Sequence, residues 1–378
     1  TVERGVRDVG QTLGDARGRH PSLGREYEHD PQTDRMEQDV GVVGTHAQSL
    51  ARLVSLVILL STMIAMQTTA MPKTDETIPS SRANLAGSFT TPAGPGPFPS
   101  ALLLSGSGPL DRDGNHKRIK LNVSRDLAAE VAEAGWASLR YDKRGVGASE
   151  GDYLSAGFFD ELADAEAGRD WLLARDDVAS VVVIGHSGGA VQAVELAGRL
   201  PAIAGAILLA TSAKTGEETL RWQARQMGEK VVPGPMRALM RLFRTDMLKQ
   251  QDKAIAKLKA TTTDVARINM VKTNAKWMRE FMAYDPLPAL RVATSPMLAI
   301  TGAKDVQVDP ADLAVVAETA SNAQVLEVPD VDHILRYEAG LVSNPRHYGR
   351  QIEKPIDPRV TEAILSWLAE RPAGAARE

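Results

Sequence analysis

Residues 181–196, VVVIGHSGGAVQAVEL, decide the fold. Four apolar residues run into Gly185-His186-Ser187-Gly188-Gly189 and an amphipathic stretch opens at once, which predicts a buried strand, a sharp turn and a helix. A serine on such a turn has its hydroxyl pushed out of the sheet, where a base can take its proton, and the glycines around it leave room for the bend. Ser187 is therefore the candidate nucleophile. The same G-x-S-x-G spacing recurs at Gly147-Ala148-Ser149-Glu150-Gly151, but that copy stands several polar residues beyond the apolar run WASLRY and no helical pattern follows it. Context selects Ser187 over Ser149.

Outward from this stretch, strand and helix patterns alternate. Residues 84–92 and the turn-rich PAGPGPFP beyond them predict an early hairpin, and 101–104 a short buried strand. Helices are expected near 123–134, 159–174 and 190–200, and strands over 136–141, 181–184 and 203–209. After a long helical segment the alternation resumes with a strand at 297–301, a helix at 311–319, a strand at 324–328 and a last helix at 358–370. Strands alternating with helices imply right-handed crossovers, hence an α/β fold with a mainly parallel central sheet and helices on both faces.

Composition sets the outer limits. The chain has 378 residues, 43% hydrophobic and 24% charged, which suffices for a sizeable core. With no cysteine, disulfides, thiolate metal sites and a cysteine nucleophile are excluded. A net charge of −4 gives no reason to expect nucleic acid, and neither H-E-x-x-H nor a P-loop motif occurs.

The first 71 residues read differently. Up to about residue 48 they are rich in Gly, Arg, Asp and Gln with almost no apolar periodicity, as in a disordered tail. Residues 53–66, LVSLVILLSTMIAM, follow Arg52 and precede the small residues Thr68-Thr69-Ala70. That run is shorter than the ~20 residues of a membrane span and suits a signal-peptide core. It lies far from residue 1, and Met36 would make a sensible start. The expectation is export to the periplasm or medium, with an N-terminal membrane anchor as the alternative.

A serine hydroxyl needs a histidine to accept its proton and a carboxylate to hold that histidine in the right tautomer. His20, His29 and His46 lie in the tail, His186 adjoins the nucleophile and should point elsewhere, and His116 sits in the loop after the 101–104 strand. His333, directly after the strand VLEVP, is placed at the carboxyl edge of the sheet where open α/β folds bind ligands; His347 is the alternative. For the acid, Asp305 follows a strand in TGAKD, ahead of Asp309, Asp330 and Asp332. Asp309 precedes Pro310 and reads as a helix N-cap.

GHSGG at Ser187, GAKD at Asp305 and DH at His333, in that order, resemble the α/β-hydrolase superfamily, in its bacterial esterase and serine-aminopeptidase-like branch, from about residue 72 to the end. SGSGPLDRDG from Ser105 resembles the family's oxyanion loop, with Ser105 where many relatives carry histidine. RYDKRGVGASEG from Arg140 resembles the loop after the next strand. The resemblance implies an oxyanion hole made by the backbone N–H groups of Ser107 and Gly188, and a buttressing role for Asp142 and Arg144.

It also implies a cap over the site, and residues of about 213–292, helical by composition, supply one. This segment holds Met227, Met236, Met240, Met247, Met270, Met278 and Met282 beside Trp222, Phe243, Trp277 and Phe281. Adaptable side chains of this kind suit an apolar acyl or aryl group as well as ordinary packing. The segment carries 16 Lys and Arg against 8 Asp and Glu, a net of +8. A solvated face accounts for most of that; attraction to an anionic substrate or membrane surface is the sharper reading.

The expected activity is that of a serine hydrolase cleaving small carboxylic esters through a Ser187, His333, Asp305 triad and an acyl-enzyme, with no metal or organic cofactor. A serine peptidase of the aminopeptidase or prolyl-oligopeptidase kind is the alternative, and a noncatalytic binding protein on the same fold a third. Membrane contact is expected only through the N-terminal apolar segment.

Overall fold

Eight strands form one sheet in the order β1-β2-β4-β3-β5-β6-β9-β10. The computed structural model describes residues 72–371 apart from 82, 201 and 202, so the tail and the signal-like run at 53–66 lie outside the described residues. In chain order the elements begin with β1 (Lys73–Ser80), β2 (Ala83–Thr90), β3 (Phe98–Leu104), α1 (Val123–Glu133), β4 (Ala137–Tyr141), α2 (Phe158–Leu173), β5 (Val178–His186), α3 (Gly188–Arg199) and β6 (Gly205–Leu209). The inserted segment holds α4 (Gly216–Gln226), a π-helical turn at Met227–Val231, α5 (Gly234–Leu242), α6 (Met247–Lys259), β7 (Val265–Ile268), β8 (Val271–Asn274) and α7 (Ala275–Ala283). Then come α8 (Leu287–Val292), β9 (Met297–Gly302), α9 (Asp312–Thr319), β10 (Ala323–Val328), α10 (Tyr348–Gln351) and α11 (Pro358–Ala369). β1 and β2 pair antiparallel, β2 runs antiparallel to β4, and the remaining pairings of this eight-stranded sheet are parallel.

The central strands read as continuous apolar runs because both faces of the sheet are covered. Alternate residues serve alternate faces: Leu102, Leu104, Val181, Val183, Ala206 and Leu208 join the core under α2, α3 and α9. Ala101, Leu103, Val182, Ile184, Ile207 and Leu209 join the core under α1 and α11. Every parallel strand therefore ends at the same edge. That edge collects the loops carrying Ser107, Ser187, Asp305 and His333.

The structure departs from the sequence reading in two places. The N-terminal hairpin lies one strand earlier than expected, β1 and β2 pairing up to Ser80 and Ala83, and PAGPGPFP instead links β2 to β3 and contains the cis Gly96–Pro97 bond. KTDETIPS carries no strand pattern because it is polar, and its burial shows why: as the edge strand it covers only Ile78 fully. The insertion is not wholly helical either. β7 and β8 form a hairpin whose turn residues Asn269 and Met270 both have positive φ (47° and 68°), the twist that suits a two-residue hairpin loop. Four-residue strands are too short to register against a helical composition. At its end, α8 packs against α3, with Ala289 beside Gly198, so the inserted segment rejoins the helices that cover the sheet after Tyr284.

Candidate active site

Ser187 occupies the turn between β5 and α3 with φ 54° and ψ −119°, a backbone conformation that costs energy in a non-glycine residue. Its N–H is tied to the Leu209 carbonyl at 2.8 Å, and the surrounding glycines allow the close packing that holds the strain. A Cβ at Gly189 would collide with the Leu104 carbonyl, so helix α3 can start hard against the end of β3 only with glycine there. At Gly188 a Cβ would stand 3.1 Å from the Ser107 nitrogen and closer still to its hydroxyl. The 105–108 loop thus leans on the turn, and Ser107, Ser187 and Gly188 border one cavity.

At the same sheet edge, His333 donates its Nδ1–H to Asp305 Oδ2 at 2.7 Å. Asp305 is fully buried, and its other oxygen accepts the backbone N–H groups of Gln307 (2.7 Å) and Val308 (2.9 Å). These bonds fix the carboxylate, the carboxylate fixes the imidazole, and the proton on Nδ1 leaves Nε2 as the basic atom. Burial disfavours the imidazolium of His333, but the charge and hydrogen bond of Asp305, with Asp332 beyond, outweigh it and hold the pKa above its usual 6.5.

The other sequence candidates fall elsewhere. Asp309 faces away from His333: its Oδ1 accepts the Ala311 N–H at 3.1 Å and its Oδ2 pairs with Lys214 at 3.0 Å. It therefore caps the turn at 310–311 rather than α9 itself, whose N-cap is Ala311. His347 is exposed in a short 3-10 turn. Ser149 is a buried strut, donating to the Asp142 carbonyl at 2.6 Å and accepting the Ala86 N–H at 2.9 Å. Asp142 binds Arg112 through both oxygens and accepts the Ala148 N–H, while Arg144 pairs with buried Asp164, so both brace the loop after β4.

Sequence reasoning missed His186. Its Nε2–H donates to the His333 carbonyl at 2.8 Å, and the two rings lie 5.0 Å apart. Burial and the neighbouring His333 push its pKa down to about 4, so it stays neutral and keeps the proton the carbonyl requires. His186 thus pins the backbone of the residue that Asp305 orients. Asp332 is also distinctive: burial raises its pKa to about 6, and among the described residues only its Oδ1 finds hydrogen-bond partners, the N–H groups of Ile334 and Arg336 at 3.1 Å each.

The cavity above Ser187, about 170 Å³, is walled by Leu220 and Gln223 of α4, by Trp277, Met278 and Phe281 of α7, and by Val191, Gln307 and Val308. Thr215 and Glu218 form the capping box that starts α4. Trp277 and Phe281, one turn apart, stack at 4.7 Å and pack on Phe158 beneath. Of the aromatic residues noted in the insertion, Phe243 stands apart from this wall, at 72% exposure.

The family described as "Serine aminopeptidase, S33" matches residues 120–338, a span that includes the strained serine and the Asp305–His333 pair. The chain belongs to this family. Among curated relatives it is 28% identical over 289 residues to Esterase EstD of Thermotoga maritima, an alignment that covers 76% of this chain and 66% of EstD, just under two thirds. Solved structures of the same fold include Est1E of Butyrivibrio proteoclasticus with ferulic acid bound, at TM-score 0.55 and 18% identity over 78% of this chain and 98% of that one. A proline iminopeptidase of Mycobacterium smegmatis superposes almost as well, at TM-score 0.54 and 16% identity over 79% of this chain and 98% of its own. An esterase and a peptidase share this α/β-hydrolase architecture equally, so the fold alone does not choose between their reactions.

Proposed function

We propose that the protein hydrolyses carboxylic esters by acyl transfer through Ser187. His333 Nε2 takes the hydroxyl proton as Ser187 Oγ attacks the acyl carbonyl; Asp305 holds the tautomer and stabilises the imidazolium. The oxyanion is met by the N–H groups of Ser107 and Gly188. Collapse breaks the bond to the alkoxy oxygen, which leaves as the alcohol with the proton from His333. Water, deprotonated by His333, then attacks the acyl-enzyme, releasing the carboxylic acid and restoring the Ser187 hydroxyl. The observation that carries this reading is the Asp305-anchored His333 at the same sheet edge as a strained serine that opens on a cavity.

The lining of that cavity favours an ester over a peptide with a free amino terminus. An aminopeptidase must hold an ammonium group, for which a carboxylate is the natural partner. Among the described residues bordering the cavity none is Asp or Glu, and its polar side chains are hydroxyls, the amides of Gln223 and Gln307 and the indole of Trp277. Its volume lies below the roughly 300 Å³ at which drug-sized sites begin, so the fitting acyl group is short and apolar. We also infer export, with cleavage near Ala70, from the composition of residues 53–70; mass spectrometry of the mature N-terminus tests it, and a product retaining 53–66 refutes it.

The deciding experiment is a panel of nitrophenyl esters of increasing acyl length against aminoacyl and prolyl anilides. Turnover of short esters that vanishes in Ser187→Ala, by about a millionfold if the subtilisin precedent holds, supports the proposal. Faster turnover of the anilides would move the assignment to a peptidase.

A further inference from the structure

Among the described residues the largest fully buried side chain is that of Arg336, in the loop that carries His333. A guanidinium keeps its charge at any depth, so its desolvation has to be met by acceptors. Nε donates to the Lys354 carbonyl at 2.9 Å, Nη1 to the Ile334 carbonyl at 2.9 Å, and Nη2 to Asp126 Oδ2 at 2.7 Å and to the Leu121 carbonyl at 3.2 Å. The backbone of Arg336 closes the same loop: its N–H donates to Asp332 Oδ1 at 3.1 Å, and its carbonyl accepts the Asp332 N–H at 3.0 Å. Within that closed turn Leu335 is held at φ 63°, a left-handed conformation that a bulky residue keeps only where its surroundings enforce it.

Two of these partners belong to another part of the site. Asp126 lies in the first turn of α1, and Leu121 stands near the end of the loop that begins at Ser105. That loop is itself tied together. The Asn122 N–H donates to Asn115 Oδ1 at 2.8 Å, the Asn115 N–H to Asp111 Oδ1 at 2.9 Å, and the Leu110 N–H to the carbonyl of Gly108, beside Ser107, at 2.9 Å. One rigid, planar group thus joins the segment that presents His333 to the segment that presents Ser107. Net stability is a poor reason for it, because apolar residues of equal volume often replace a buried ion pair without loss. We infer that Arg336 is a positioning residue, which sets where His333 Nε2 stands relative to Ser187 and to the oxyanion donors at Ser107 and Gly188. This inference rests on the acyl-transfer mechanism proposed above.

Arg336→Lys keeps the charge and the aliphatic stem, but a single nitrogen cannot serve acceptors spread over Ile334, Lys354, Leu121 and Asp126. Hydrolysis of a short nitrophenyl ester should lose about 100-fold in kcat, the cost of misplacing a catalytic group by about 1 Å, with KM little altered. The rate at which diisopropyl fluorophosphate labels Ser187 should fall as well, since labelling calls on the same base and oxyanion donors. Asp126→Asn, which leaves the guanidinium in place and weakens one of its bonds, should show a smaller loss of the same kind. A role confined to stability would lower the unfolding temperature of Arg336→Lys and leave kcat per folded molecule unchanged. That result overturns the inference, as does a rise in KM with kcat intact. If Arg336→Lys does not fold, Asp126→Asn decides by the same split between kcat and KM. A parent enzyme that is not labelled at Ser187 refutes the acyl-transfer mechanism and this inference with it, whereas a labelled parent whose folded variants keep its kcat refutes the inference alone.

Discussion

Replacing Asp305 by asparagine is the sharpest probe of the site, because the surrounding donors dictate how the amide must sit. One carboxylate oxygen accepts two backbone N–H groups, from Gln307 and Val308, and the other accepts the His333 Nδ1–H. Asparagine has a single oxygen. Turned toward His333, it would set the NH₂ against both backbone donors, at about 1–3 kcal/mol for each buried N–H left unpaired. Turned toward the backbone, it forfeits only the histidine bond, so this orientation wins. The NH₂ then faces Nδ1, which must accept, and the imidazole proton moves to Nε2, the atom that receives the serine proton in the proposed mechanism. The same substitution in a trypsin-like enzyme left the geometry intact and cost about 10⁴ in kcat, and we expect a loss of that order here with KM little altered. Steady-state hydrolysis of a short nitrophenyl ester measures the loss, thermal unfolding verifies the fold, and ¹⁵N chemical shifts of His333 read the tautomer. A folded variant that loses less than about tenfold, or an Asp309→Asn variant that loses as much, refutes the reasoning.

Three further outcomes follow from the same bonds. Ser149→Ala should leave kcat/KM unchanged but lower stability by about 1–3 kcal/mol, since the Ala86 N–H loses its buried acceptor; a drop in activity without a drop in stability would contradict the strut. The kcat/KM profile should fall as pH decreases through a value above 6.5, because protonated His333 has no lone pair for the serine proton and Asp305 favours that protonated form; an inflection below 6.5 would deny the Asp305 contact. Asp332 has a folded pKa near 6 against 3.8, so its contribution to stability is present below 3.8 and is lost as pH rises to about 6. Asp332→Asn should therefore gain on the parent by about 3 kcal/mol between about pH 4 and pH 7, which urea titrations at several pH values measure; a constant gap would show that Asp332 ionises normally.

Much of this was legible in the sequence because the information is local. The parallel strands announce themselves as apolar runs, since burial on two faces leaves no room for polar alternation, and in the elbow an apolar strand, a glycine-rich turn and a helix follow one another directly along the chain. Asp305 and His333 were placed by the same logic, each in the first loop after a strand, at the edge where all such loops converge. The polar β1 escaped because an edge strand has little to bury, and the β7–β8 hairpin because two short strands in a charged helical segment leave no periodic trace.

His186 marks the limit of that kind of reading. Nothing in GHSGG distinguishes a histidine that turns away from one that braces a partner 147 residues later; the distinction rests on a single bond from its ring to the His333 carbonyl, at 2.8 Å. The pKa values of the pair are equally nonlocal. Both rings are buried, which opposes the charged form of each; for His333 the Asp305 carboxylate outweighs that cost, whereas for His186 the neighbouring His333 adds to it, so the two shift in opposite directions. Of two histidines at one sheet edge, then, the position of Asp305 decides which can gain a proton, burial keeps the other neutral, and the 333 carbonyl fixes Nε2 as the atom that carries its proton. The same reasoning separates the aromatic residues of the insertion: Trp277 and Phe281 wall the cavity, whereas Phe243 meets solvent, although composition had grouped all three.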